Sequence, residues 1–133
     1  MSFFQNIFNR KTSNNEQNTD KDAFVWRTLE TVGQIDSVKK LSQEKVVVIF
    51  KHSTTCGISN MVWHQFQTEI DFDNSKIEML YLDLLSNRDV SNEVSRVFQV
   101  LHQSPQILVI KNGEVLHHAS HAAIRISDIR SFI

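Results

Sequence analysis

The sequence predicts an α/β fold: a central mixed sheet with a parallel βαβ half and a C-terminal antiparallel hairpin, flanked by helices. Three patterns carry this expectation. Short apolar runs alternate with stretches whose apolar residues recur at helical spacing, the grammar of parallel strands joined by crossover helices. One run, Val46-Val47-Val48-Ile49-Phe50, is apolar and largely β-branched at every position, as a strand buried on both faces must be. Near the C-terminus, Lys111-Asn112-Gly113-Glu114 separates two apolar runs, and Asn-Gly in that setting is the strongest short hairpin signal.

Taken in order, residues 1–22 read as a flexible leader and residues 23–133 as one domain. Positions 9–22 are almost wholly polar, with no apolar side chain to anchor them. Phe3, Phe4, Ile7 and Phe8 form a short apolar cluster at helical spacing, expected to dock on the chain's own domain rather than on a membrane. Phe24-Val25-Trp26-Arg27-Thr28-Leu29 reads as a strand, and Ile35, Val38 and Leu41 mark a helix over 34–42. The central run then breaks at Lys51-His52-Ser53-Thr54-Thr55. A helix follows at once, with Ile58, Met61, Val62, Phe66 and Ile70 on one face. Residues 77–83 form the next strand. Val90, Val94, Val97 and Phe98 mark a helix that Asn87 or Ser86 can cap, with Asp89 in its favourable first turn. Pro105 is the only proline; lacking a ladder donor, it belongs at the start of the first hairpin strand. The Ser104–Pro105 bond there is either a cis bend or an ordinary trans opener. Ser127 and Asp128 open a short terminal helix.

Composition excludes several classes of function. Lys and Arg number 14 against 15 Asp and Glu, so no basic surface invites nucleic acid. Apolar residues make up 41% and their longest run is a strand's length, too short to span a bilayer. Residues 1–8 lack the basic leader and long apolar core of a secretory signal. A lone cysteine fits the reducing cytoplasm. His117 and His118 are adjacent on a strand and point to opposite faces, so they cannot chelate together, and with His121 they read as surface residues; no metal site is expected.

The chemistry centres on Cys56. It falls where the buried strand gives way to a helix, so unpaired backbone N–H groups and the positive end of the helix dipole favour a thiolate there. Lys51 or His52 can add positive potential if either turns toward the sulfur; the plainer alternative is that both are solvated loop residues. Ser59, one helical turn on, can donate its O–H to the thiolate but cannot resolve a mixed disulfide. Its plainer alternative is a solvent-facing serine.

These residues also resemble a known family. Cys56-Gly57-Ile58-Ser59, the proline before a hairpin and the final helix look like the thioredoxin fold, with Ser59 where the second cysteine of Cys-x-x-Cys would stand. More narrowly, Phe50-Lys51-His52-Ser53-Thr54-Thr55-Cys56-Gly57-Ile58-Ser59, with Ser104-Pro105-Gln106 and Lys111-Asn112-Gly113, resembles the YtxJ-like monothiol bacilliredoxins from about Phe24 onward. That resemblance implies a thiol–disulfide oxidoreductase of the bacterial cytoplasm that removes bacillithiol from mixed disulfides on client proteins. It implies catalytic roles for Cys56 and Ser59, and substrate-binding roles for Thr55, Gly57, Ser104, Pro105, Lys51 and His52. Bacillithiol would be the thiol co-substrate, and S-bacillithiolated proteins and a second small thiol the partners. Members of the family often carry proline after the cysteine; Gly57 leaves that helix start without a preset φ. Gly57 also matches the Cys-Gly-x-Ser of monothiol glutaredoxins. No Gly-Gly pair follows the hairpin to hold glutathione, so bacillithiol ranks first. Competing readings are a module in which Cys56 holds an iron–sulfur cluster bridged between two chains, and an adaptor without catalysis.

Overall fold

The computed structural model describes residues 25–73 and 75–133. The leader, the cluster at Phe3, Phe4, Ile7 and Phe8, and the boundary expected after Asp22 lie outside the described residues. In chain order the elements are β1 (Trp26–Thr28), α1 (Gln34–Leu41), β2 (Val46–His52), α2 (Gly57–Glu69), β3 (Ile77–Asp83), α3 (Arg88–Phe98), β4 (Gln106–Lys111), β5 (Glu114–Ser120), a 3₁₀ turn (His121–Ala123) and α4 (Ile126–Arg130). They build the expected mixed sheet, ordered β1-β3-β2-β4-β5. β3 runs parallel to both β1 and β2, whereas β4 is antiparallel to β2 and β5.

The pleat sorts the central strands into two cores. Val47 and Ile49 face a cluster that includes Ile35, Val38 and Leu41 of α1 and Val90, Val94 and Phe98 of α3. Val46, Val48 and Phe50 face the other, with Phe66 of α2 and Ile126 and Ile129 of α4. Every residue of β2 is buried, which explains why its sequence shows no polar alternation. Each fully buried aliphatic side chain contributes roughly 1.5–3 kcal/mol against exposure, so this strand anchors both layers.

At the hairpin, Asn112 and Gly113 have φ of 54° and 77°. Positive φ at both central positions is the requirement of the two-residue turn that matches strand twist. Ser42, just past α1, ties the turn down: its carbonyl accepts from Asn112 N at 2.8 Å and its Oγ from Gly113 N at 2.8 Å.

Four local expectations are corrected. β2 does not break at Lys51 but runs through His52, because Lys51 and His52 pair with Leu82 and Asp83 on one side and Lys51 with Gln106 on the other. Ladder pairing on both edges carries polar residues that end the apolar pattern. The buried face of α2 is also turned from the one expected. Ile58 and Met61 are 57% and 66% exposed, whereas Ser59 is fully buried beside Phe66, with Val62, Trp63 and Ile70 packed against the core. Asn87 occupies the N-cap of α3, yet its side chain donates back to Asp83 O. The terminal helix starts at Ile126, ahead of Ser127, with Arg125 at the N-cap. Among the described residues, no helix is long and apolar enough to cross a membrane.

Candidate active site

Cys56 is a free, half-buried thiol at the N-cap of α2, with the extended backbone of a cap residue (φ −104°, ψ 124°). Its carbonyl accepts from Asn60 N at 3.0 Å, closing the first helical turn, and its own N–H donates to Ser53 O at 3.2 Å. Asn60 Nδ2 donates to Thr54 O, bracing the loop. Among the described residues no side chain caps this helix, and its first turn holds no acidic residue. The positive end of the helix therefore acts on the sulfur without a competing anion.

Ser59 does not meet the expectation that its hydroxyl serves Cys56. No hydrogen bond joins them. Ser59 Oγ accepts from Ser53 N at 3.1 Å and lies 2.8 Å from His52 Nδ1. With its acceptor side taken by Ser53, the hydroxyl proton goes to Nδ1 when the ring proton sits on Nε2. Burial pushes the pKa of His52 below the usual 6.5, opposed by a hydrogen bond to Asn60 and the charge of Asp83. The imidazole is therefore neutral at neutral pH, consistent with that arrangement. His52 is not a loop residue. It closes β2, is 2% exposed, stacks on Trp63 at 5.7 Å and lies near Tyr81.

Lys51 departs further from its expected place. Side chains alternate along a strand, so Lys51 sits on the face opposite α2, away from the helix that carries Cys56. It is fully buried. Its Nζ reaches Ser91 O at 3.3 Å, Ser95 Oγ at 3.0 Å and His102 Nδ1 at 3.3 Å, and burial lowers its pKa from 10.5 to about 8.

Ser104 and Pro105 meet across a cis bond directly ahead of β4. The pairing of Lys51 with Gln106 brings them to the same end of the sheet as the loop that presents Cys56. Pro105 O accepts from His121 N at 3.0 Å, and Ser104 Oγ is buried with no hydrogen-bond partner among the described residues. Thr55 and Gly57 flank the thiol and are exposed; a Cβ at Gly57 would meet nothing within 4 Å. A groove of about 680 Å³ lies beside this end, between α2 and the segment from the 3₁₀ turn into α4, with Met61, Phe66, His121, Ile124 and Arg130 among its walls.

The sequence pattern did not single out Ser91, Ser95 or His102, the partners of Lys51. Nothing in their spacing marks them; only the strand register, which buries Lys51, shows that its ammonium needs acceptors.

The comparisons agree with this geometry. A solved structure described as a candidate oxidoreductase with a thioredoxin fold is 29% identical, with a TM-score of 0.68 over 80% of this chain and 92% of that one. Thioredoxins of Malassezia sympodialis and Trypanosoma brucei brucei superpose with TM-scores of 0.64 and 0.64 at 20% and 18% identity. The first covers 88% of this chain and 94% of its own, the second 86% and 95%. The fold is thus the thioredoxin fold. A family model for the monothiol bacilliredoxin BrxC matches residues 27–129, and fold and family together support a thiol redox function. With one thiol at the head of α2 and serine where a resolving cysteine would stand, the chain belongs to the monothiol bacilliredoxin BrxC family.

Proposed function

We propose that this protein removes bacillithiol from mixed disulfides on client proteins, with Cys56 as the attacking group, in the reducing cytoplasm. One observation carries the reading: a lone, solvent-reachable thiol at an uncapped helix start, at the same end of the sheet as Ser104 and Pro105. The Cys56 thiolate attacks the bacillithiol sulfur. A new bond forms between Cys56 Sγ and that sulfur, the old S–S bond breaks, and the client sulfur leaves with the electron pair and takes a proton from solvent. A second bacillithiol, as thiolate, then attacks the bacillithiol sulfur held on Cys56. It releases the Cys56 thiolate and departs as oxidised bacillithiol. With a single cysteine in the chain, resolution has to come from outside.

Intact mass spectrometry after incubation with oxidised bacillithiol tests this. One adduct is expected on the wild-type chain, none on Cys56→Ser, and a much slower adduct with oxidised glutathione. A chain that stays unmodified, or reacts equally with both disulfides, overturns the assignment to bacillithiol.

A further inference from the structure

Lys51 and His52 are neighbours whose side chains leave β2 on opposite faces, and both are buried. Each ends in a polar contact with a different wall of the site. His52 reaches Ser59 in the first turn of α2, while Lys51 reaches His102 in the loop that leads to Ser104 and Pro105.

That loop has little else to hold it. Leu101 is 81% exposed, His102 and Gln103 are also exposed, and Ser104 is only half-buried. Between Val100 and Pro105 the one apolar side chain, Leu101, is exposed, so apolar packing does not fix the path. Polar contacts do: Lys51 Nζ to His102 Nδ1, His102 Nδ1 close to Ser91 Oγ at 3.3 Å, and Gln106 Nε2 donating to Leu101 O at 3.0 Å. Gln106 is the cross-strand partner of Lys51, so strand register puts both braces at one place. The ammonium has three protons and meets three acceptors, two from α3 and one from the loop. It thereby takes its bearing from a rigid helix. Among the described residues no carboxylate pairs with Lys51, so ion pairing does not offset its burial. An apolar side chain would fill the same place at lower cost.

We infer that Lys51 is a positioning residue: through His102 it holds the 101–104 loop against α3, and so sets where Ser104 and Pro105 stand relative to Cys56. The inference rests on the exchange reaction proposed above, which a client sulfur can enter only if both walls are in register.

The test uses the full-length protein, Lys51→Met, His102→Ala and the double variant. Either single change is expected to slow bacillithiol removal from a protein mixed disulfide about tenfold or more, since misplacement near 1 Å can cost about a hundredfold. Alkylation of Cys56 by iodoacetamide, which needs no docking, should stay within about twofold. The double variant should be no slower than the slower single, because both act through one contact. Backbone order parameters over 101–104 should fall from the rigid range of about 0.85 toward 0.6 in either variant. Unchanged order parameters overturn the brace, whatever happens to activity. Loosening of the loop without loss of exchange, or losses that multiply in the double variant, overturn the positioning role. Wild-type protein that is alkylated but exchanges with no bacillithiol disulfide overturns the proposed function instead, and the loop measurement still decides the brace. Should Lys51→Met fail to fold, His102→Ala, an exposed residue, decides alone.

Discussion

Two adjacent residues give the protein pH signatures of the same sign in two separate windows. The folded-state pKa of Lys51, about 8, lies below its unfolded value, so between about 8 and 10.5 the unfolded chain binds the extra proton and stability rises with pH. Below that window the full cost of burying the ammonium is present. Urea melts should therefore show wild type gaining about 2 kcal/mol on Lys51→Met between roughly pH 7.5 and pH 10. A constant difference would mean that the ammonium is not desolvated. His52 acts at the other end. Its pKa is lowered from 6.5, chiefly by burial, so as pH falls below 6.5 the unfolded chain takes up the proton first and stability drops. Thermal melts from neutral to about pH 5 should show a shallower acid loss in His52→Gln than in wild type. Neither signature was legible from composition. A lysine and a histidine at the end of an apolar run look like the start of a loop, and only continued ladder pairing, on both edges for Lys51 and with β3 for His52, keeps them in the strand.

At the scale of elements, α2 separates what periodicity reveals from what it does not. That residues 57–69 form a helix was plain from the apolar spacing. Which face is buried was not, because Ser59 takes an inward place that a hydrophobicity count assigns to Ile58 or Met61. The reason lies outside the helix, in His52 and the Ser53 N–H that Ser59 answers. Phe66 packs against Phe50 at 5.1 Å and Trp26 at 6.0 Å, so Phe66→Ala should lower the unfolding free energy by about 3–5 kcal/mol in denaturant melts. Met61→Ala, on the exposed side, should stay within about 0.5 kcal/mol. The link between α1 and the hairpin is likewise hidden from local sequence. Asn-Gly announces the turn, but nothing near it announces Ser42. Removing that hydroxyl with Ser42→Ala leaves the Gly113 N–H short of its acceptor and should cost about 1–3 kcal/mol in the same assay.

For the whole molecule, alternation of strands and helices was enough to foresee a mixed sheet with a layer on each side, because each strand type carries its own signal. β2 is apolar throughout, whereas β5 alternates exposed and half-buried residues as an edge strand does. Stability should be graded accordingly. Amide hydrogen exchange is expected to be slowest in β2 and β3, buried within the sheet, and much faster in β1, an edge strand of three residues, and α4, a helix of five. Exchange in β1 as slow as in β2 would contradict that grading. The position of Cys56 at the strand-to-helix junction was legible for the same reason as the fold. The Lys51 cluster joins residues 40 to 51 positions apart, and no local pattern connects them.

The ring cluster beneath α2 has an optical consequence. Both tryptophans of the chain lie in it, Trp26 and Trp63 at 4.7 Å, and Trp63 is stacked on the imidazole that bonds Ser59. The indoles therefore belong to one chain of contacts, Trp26 to Trp63 to His52, that ends at Ser59 in the helix turn that begins at the thiol. Intrinsic fluorescence should shift when Cys56 acquires a disulfide adduct, recover when a free thiol removes it, and stay flat in Cys56→Ser. A turnover can then be followed in real time without any attached dye.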